Sequence, residues 1–451
     1  MSDARKSADG RPAAAAGEYA VANIMLWGRF VGAVAEDAGG RIVFEYDDAF
    51  RKSGLEISPI HLPLSRRGPQ EFPELRRTQA FACLPGVLAD ALPDAFGNAL
   101  VDAWMAQQNV PADRITPLDR LAYAADRAMG ALEFRPPAQD GAGTPPTAVQ
   151  LADIVLAARR TVRGEFAGDE MAHAALQQLI QVGSSAGGAR AKAVVAYNPQ
   201  TNQMRSAYGP LGDGFEHWLI KLDGVSASGM DGREDRLGDS APYGRVEYAY
   251  SLMAAAAGID MAPCQLLAEG PRRHFMTRRF DRGDHGEKHH VVSLCAMAHL
   301  DFNLVGVHSY DQYLQTVRAL DLGADALAQA YRRMVFNVMA VNRDDHTKNF
   351  SFLRRRGGGW ELAPAFDVTH AYNPDNQWIR RHLMGVNGKF EQITLHDLVA
   401  VGERNEVPGY KRCIREVRAA VDSWPDAAAR AEVFDDTVER IAGDIAAFRP
   451  R

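Results

Sequence analysis

Cysteine is scarce in this chain of 451 residues, and the four present, Cys83, Cys264, Cys295 and Cys413, are scattered singly. No CxxC or Cys/His spacing occurs among them, which argues against a zinc site or a disulfide framework and makes buried, reduced thiols in a cytoplasmic protein the expectation. No apolar run reaches the length that crosses a bilayer, and the first residues are polar, without the charged and apolar regions of a secretory leader. A cytosolic protein with no membrane partner is expected. Positive charge is not in excess either: a formal net charge of -6 argues against a general nucleic-acid binder while leaving room for a local basic face. Internal repeats are lacking, and only the alanine tract near the start is of low complexity. The remaining composition, 46% hydrophobic and 24% charged, is that of an ordinary globular protein with length for two or three domains.

In chain order, residues 1–17 are small and polar without periodicity and read as a disordered tail. VANIMLWGRFVGAVAED and RIVFEY read as strands joined by tight turns. The Pro- and Arg-rich stretch from Leu62 to Pro73 reads as an extended connection. Helical spacing from Cys83 to Met105 is interrupted by Pro93. A further helix is expected over Pro117 to Ala128, followed by a short strand at ALEFRP. Pro and Gly cluster from Pro136 to Thr147, where a domain boundary or long loop is expected, and helical patterns resume over 149–160 and 169–181. The loop Gly183 to Ala189 leads into a strand over Lys192 to Tyr197. It is neither a Walker A sequence nor GxGxxG, yet its glycines let backbone amides approach an anion, with Ser184, Ser185 and Arg190 as further donors.

The most informative stretch runs from Tyr331 to His370. Apolar residues at Met334, Val335, Val338, Met339 and Val341 recur at helical spacing and predict a buried helix ending near Asn342. A loop with Arg343, Asp344, Asp345, His346, Lys348 and Asn349 follows, then strands at Phe350 to Leu353 and Trp360 to Leu362, then Asp367. Protein kinases need one carboxylate to take the proton of the attacking hydroxyl, and an amide and a second carboxylate to hold magnesium. They place the first two as Arg-Asp-x-x-x-x-Asn and the third beyond the next hairpin. Arg343-Asp344 and Asn349 reproduce that spacing, and Asp367 stands in the third place. An Asp followed five residues later by Asn occurs about once by chance in a chain of this size. Taken singly, Asp344 and Asp345 read as solvated loop charges, His346 as a capping or packing residue and Asn349 as a turn residue. The constellation carries the kinase reading.

A second piece precedes it. Lys221 lies in the apolar strand HWLIKLDG, where desolvation is costly unless the charge is paired. Kinases pair such a lysine with the nucleotide phosphates and with a glutamate on the next helix, here RVEYAYSLMAAAAGI with Glu247 in its first turn. The bland alternative is a lysine snorkelling from an edge strand and a glutamate favouring a helix N-terminus. PCQLLAEG and RHFMTRRFDR read as a hairpin leading through a hinge near Arg279 and Phe280 into a mostly helical remainder. Its longer helices are expected over Tyr310 to Leu320, Ala324 to Val341, Leu395 to Gly402 and Arg412 to Ala447.

With WGRFVGAVAEDAGGRIVFEYDDAF, LPLS and LPGVLADALPD ahead of SSAGGARAK, WLIKL, RRFDR, NRDDHTKNFSF and LAPAFDVTH, the chain resembles the HipA family of bacterial serine/threonine kinases, the toxins of type II toxin-antitoxin modules. The resemblance spans about Val21 to Arg449. It implies an α+β, two-lobed protein-kinase-like fold with a β-rich N-terminal lobe, an extra family-specific N-terminal subdomain and an all-helical C-terminal lobe. The expected divisions are a tail over 1–17, the subdomain over 18–136, the N-lobe over 137–282 and the C-lobe over 283–451. It further implies Asp344 as catalytic base, Asn349 and Asp367 as ligands of Mg2+, and ATP contacts from Lys221, the loop residues Gly187, Gly188 and Ala189, and the hinge residues Arg279 and Phe280, with Glu247 pairing Lys221. Ser185, or its neighbour Ser184, matches the serine that family members autophosphorylate, where a phosphate of about two negative charges would repel the nucleotide. The implied partners are a helix-turn-helix antitoxin of HipB type, operator DNA reached only through that antitoxin, and a protein substrate such as an aminoacyl-tRNA synthetase. Two departures are the Arg278-Arg279-Phe280 hinge, where related sequences often begin with an acidic residue, and the long loop between Lys221 and Glu247. Two other readings stand beside this one: a small-molecule kinase on the same fold, and an inactive regulatory pseudokinase in a DNA-bound antitoxin complex.

Overall fold

A computed structural model describes residues 20–37, 39–78, 80–107, 110–135, 191–207, 211–225 and 240–451. The expected tail, the break over 136–147, the helices over 149–160 and 169–181 and the glycine-rich loop over 183–189 lie outside the described residues. The chain divides into two compact units, one of residues 1–189 with 196–215 and one of residues 190–195 with 216–451.

In the first unit, alternating apolar residues form β1 (Ala20–Leu26), β2 (Arg29–Glu36) and β3 (Ile42–Tyr46). Trp27 and Gly28 join β1 to β2, and both have positive φ, 51° and 75°, as a two-residue hairpin that follows the strands' twist requires. Asp47 caps α1 (Asp48–Arg51). Pro93 separates α2 (Gly86–Ala89) from α3 (Ala95–Gln107), as the interrupted spacing predicts. The helix α4 (Pro117–Ala124) opens on a capping box between Thr116 and Asp119; it stops short of Ala128 because Ala125 turns to a φ of 46°. β4 (Leu132–Arg135) completes a sheet of order β3-β2-β1-β4, whose inward face buries Ile24, Leu26, Val34, Phe44 and Phe134.

β5 (Lys192–Asn198) is buried along its whole length; its last three residues, with β6 (Gln203–Ser206), count with the first unit. In the second unit, β7 (Glu216–Lys221), α5 (Tyr243–Ala256), β8 (Cys264–Glu269) and β9 (Arg272–Arg278) follow, with sheet order β5-β7-β9-β8 and α5 packed on β8 and β9. Next come β10 (His290–Ser293), α6 (Leu294–Ala298), β11 (His308–Ser309), α7 (Tyr310–Ala319) and α8 (Gly323–Met339). They are succeeded by β12 (Ser351–Arg354), β13 (Trp360–Leu362), β14 (Met384–Gly385), α9 (Leu395–Arg404), α10 (Tyr410–Asp422), α11 (Trp424–Arg430) and α12 (Asp435–Phe448).

The second unit is thus α+β, with the two lobes of a kinase-like fold. Its C-terminal lobe is mainly helical rather than wholly so: the expected hairpin β12-β13 gains β10 as a third antiparallel strand, a sheet from which the site loops depart. The single helix expected over 412–447 is three, since Pro425 can begin a helix but not continue one, and Glu432, at a φ of 55°, ends α11. No helix among the described residues is long and apolar enough to cross a membrane.

Candidate active site

The helix α8 buries Tyr331, Met334, Val335 and Val338 in one stripe and ends at Met339. Val341 then takes a φ of 57°, an unfavourable conformation for a β-branched residue, and this turns the chain sharply into the loop Asn342–Asn349. A parallel bridge fixes the loop's start beside the segment after Asp367: the Arg343 amide donates to the Ala371 carbonyl at 3.1 Å, and the Ala371 amide to the Val341 carbonyl at 3.1 Å. The Arg343 guanidinium lies over the rings of Tyr372 and Phe448, 4.4 and 4.0 Å from their centroids, and donates to the Arg380 carbonyl. Burial lowers its pKa.

The two adjacent aspartates part company here. Asp345 is buried and accepts from the Tyr310 hydroxyl at 2.7 Å, His382 Nδ1 at 2.9 Å, and the amides of Leu383 at 2.7 Å and Met384 at 3.4 Å. Tyr310 in turn accepts from Asn337 Nδ2 at 3.0 Å. Asp344 keeps 26% of its side chain exposed, with His346 Nε2 at 3.9 Å from its Oδ1. The packing around Asp344 raises its pKa, opposed by His346 and reinforced by the negative charges of Asp367 and Asp345. Asn349 Nδ2 donates to the Asp344 carbonyl at 2.8 Å, which closes the loop and turns the amide oxygen away from that bond. Asn342, Asp345, Asn349, Phe366 and Asp367 line one small pocket.

Lys221, the last residue of β7, donates to Glu247 Oε1 at 2.6 Å and to Asp367 Oδ1 at 2.5 Å. Glu247 is the fifth residue of α5 rather than in its first turn, because the helix starts at Tyr243. Burial alone would lower the Lys221 pKa; the Asp367 and Glu247 carboxylates overcome it and raise the value. Burial alone would raise the Asp367 carboxyl, but the Lys221 ammonium, through charge and hydrogen bond, holds it down at about 2. Asp367 itself has a φ of 55°, uncommon outside glycine, which turns its carboxylate back toward the lysine.

At the hinge, the Arg279 guanidinium grips the buried Asp281 at 2.8 and 2.5 Å, while its amide donates to the His217 carbonyl at 2.9 Å. Phe280 lays its ring 5.5 Å from that of Phe366, the neighbour of Asp367. Lys221, Glu247 and Asp367 are therefore in direct contact. Asp344 and Asn349 share the adjoining loop, and Arg279 and Phe280 sit at the hinge with the arginine side chain engaged by Asp281. Gly187, Gly188, Ala189, Ser184 and Ser185 lie outside the described residues.

Sequence reasoning missed two residues. Asp345, taken singly, reads as a solvated loop charge, although the doubled Asp signals that one of the pair has other work. Lys192, buried at the head of β5, adds positive charge that helps keep Asp367 ionised; its signal was an ionisable residue opening an apolar strand. The oxygen donors of Asn349 and Asp367 suit a hard cation. Among the described residues, no group of three or more His, Cys, Asp or Glu forms a separate metal cage.

Residues 22–135 match the HipA N-terminal domain, and residues 184–424 match the HipA-like C-terminal domain. Among solved structures, the chain is similar to one from the Shewanella oneidensis MR-1 toxin-antitoxin complex of HipA, HipB and operator DNA. That likeness has a TM-score of 0.65 at 16% identity and covers 94% of each chain. A weaker likeness, with a TM-score of 0.29 at 12% identity, links 48% of the chain to 90% of the Helicobacter pylori proinflammatory kinase CtkA. No curated protein matches the chain. The two domain matches, with the second alone spanning more than half of the sequence, show that the chain belongs to the HipA family.

Proposed function

We propose that this HipA-family chain is an ATP- and Mg2+-dependent protein serine/threonine kinase that acts in the cytoplasm as a growth-restraining toxin. The observation that carries the reading is Lys221 held at 2.6 and 2.5 Å between Glu247 and Asp367, beside a loop that closes Asn349 onto Asp344. Asp344 takes the proton from the acceptor hydroxyl as that oxygen attacks the γ-phosphorus and the bond from that phosphorus to the β–γ bridging oxygen breaks, releasing ADP; its raised pKa makes it a better acceptor than an exposed aspartate. Lys221 exchanges its present carboxylate partner Asp367 for nucleotide phosphate while Glu247 keeps it oriented. Asp367, ionised far below neutral pH, and the amide oxygen of Asn349 are the residues that hold magnesium. When bound there, magnesium would supply positive charge to neutralise what develops on the phosphates during transfer. Phe280 forms an apolar wall with Phe366 at the hinge, and the backbone of Arg279 and Phe280 flanks the adenine. The loop of Gly187, Gly188 and Ala189 covers the phosphates, and phosphorylation of Ser185 or Ser184 in that loop switches the enzyme off.

The proposed domains are the subdomain over 18–136, the N-lobe over 137–282 and the C-lobe over 283–451. By analogy with the Shewanella complex, the proposed partner is a HipB-like helix-turn-helix antitoxin, with operator DNA contacted through it. The proposed substrate, inherited from the family resemblance, is a bacterial protein such as an aminoacyl-tRNA synthetase.

Asp344→Asn tests the base. Phosphoryl transfer from labelled ATP should fall about 10²–10⁴-fold, while Mg-ATP affinity measured by calorimetry stays within about twofold. Wild-type rates in that variant would remove Asp344 from its role. Phosphate found by mass spectrometry only outside Ser184 and Ser185 would remove the proposed switch.

A further inference from the structure

We infer that the loop from Asp301 to His308 is a docking ledge for the acceptor protein, and that it selects a segment carrying a large aliphatic side chain together with acidic groups. The inference rests on the kinase reading and adds the class of acceptor to it.

Leu304 and Val307 are 47% and 60% exposed, the most exposed of the large hydrophobic residues described. They are not on a slack loop that would fold inward. Asp301 Oδ1 accepts from the amide and the side-chain nitrogen of Asn303, each at 2.9 Å, and its carbonyl accepts from His308 Nε2 at 2.7 Å and the Leu304 amide at 3.1 Å. A pinned apolar pair facing water is the usual mark of a contact surface.

The ledge is continuous with the catalytic loop. Thr347 Oγ1 donates to the Leu300 carbonyl at 2.7 Å, and the Phe302 ring lies 5.4 Å from that of His346, the residue beside Asp344. On its other side, His308 pairs in parallel with Met384, and the Arg381 guanidinium lies so near Gly306 that a Cβ there would sit 2.8 Å from it. A segment seated on Leu304 and Val307 therefore borders the base and not the Lys221 cluster.

Charge supplies the second requirement. Lys348 and Arg381 flank this route at Phe302 and Gly306, Arg380 precedes Arg381 in the chain, and none of the three has a carboxylate partner among the described residues. Lys348 lies 5.4 Å over the Phe302 ring, Arg381 lies 5.7 Å over the Phe390 ring with its Nε buried and unbonded, and Arg380 is exposed. Cations with no carboxylate among the described residues, beside two exposed aliphatics, fit an acidic and aliphatic segment and repel a basic one.

The probe is a degenerate peptide library with a fixed central serine, incubated with Mg-ATP. Wild-type protein should favour peptides with acidic residues and Leu, Ile or Val over basic ones. Leu304→Ser with Val307→Ser should lower kcat/KM for the selected peptide about tenfold, mainly through KM, with ATP hydrolysis and melting temperature unchanged. Arg380→Glu should shift the selection away from acidic residues. Selection indifferent to aliphatic and acidic positions, or an unchanged kcat/KM in the double variant, would overturn the ledge. ATP hydrolysis or self-labelling by wild type without labelling of any peptide also overturns it and leaves the kinase reading standing. Absence of hydrolysis, self-labelling and peptide labelling together removes both.

Discussion

The two sides of the candidate site are held by different forces. On the sheet side, Lys221 is fixed by two carboxylates from distant parts of the chain, Glu247 on α5 and Asp367 beyond β13. On the helical side, the loop carrying Asp344 is anchored from inside by Asp345, whose partners are a hydroxyl, an imidazole and two amides, and by the amide of Asn349. A lysine held by charge can change partners when an anionic nucleotide enters, because the exchange conserves pairing. A loop held through directional bonds to buried donors has no such alternative partner and keeps Asp344 in place. On the proposed reading, the difference separates binding from catalysis: the sheet side adapts, the helical side is preformed.

The largest way to break that contrast is Asp345→Ala. Four donors then face a cavity, and the expected cost is about 4 kcal/mol of stability, read by chemical denaturation. Phosphoryl transfer should fall together with stability, because Asp344 loses the anchor of its loop. A variant as stable as wild type would mean that water replaces the carboxylate and that the loop is not preformed by it.

Lys221→Met attacks the other side. Glu247 and Asp367 are left without their cation, at a cost of about 3 kcal/mol, and Mg-ATP affinity should fall while the Asp344 loop keeps its geometry. A smaller effect follows from pH. The depressed Asp367 carboxyl contributes stability that is fully present above its unfolded pKa of about 3.9 and is lost as pH falls toward about 2. The raised Lys221 pKa acts at the other extreme, with stability present below its unfolded value and lost as pH rises through the folded one. Acid unfolding of wild type between about pH 4 and 2 should therefore be steeper than that of Asp367→Asn, as followed by circular dichroism; parallel curves would show that the Lys221–Asp367 pair is not formed in solution.

How much of this was legible in the sequence follows the same division. That Asn349 meets Asp344 was readable because their relation is local, five residues within one loop, and that Lys221 meets Glu247 and Asp367 because they fall in the order kinases use. Asp345 was not readable, since its donors lie 35 to 39 residues away on α7 and around β14, and nothing in DDHTKN tells which aspartate turns inward. Lys192 was hidden by the same ambiguity, a strand lysine that reads as snorkelling until the neighbouring strand and Asp367 are in place. The split of the last helix is marked in the sequence by Pro425, a residue that starts helices, although helical periodicity runs on through it.

Tyr310→Phe sharpens the comparison with the smallest change. Its hydroxyl donates to Asp345 at 2.7 Å and accepts from Asn337 at 3.0 Å, so removing it costs one bond to a carboxylate and one from an amide while three donors remain on the carboxylate. About 1 kcal/mol of stability should be lost, with a decrease of about 2–4 °C in Tm for a unit of this size. Since α7 and Asp345 lie on the helical side, kcat should fall modestly and the KM for ATP should stay unchanged. The reverse outcome, weaker ATP binding with kcat intact, would mean that α7 tunes the Lys221 cluster through Asp345 and that the two sides are one mechanical unit.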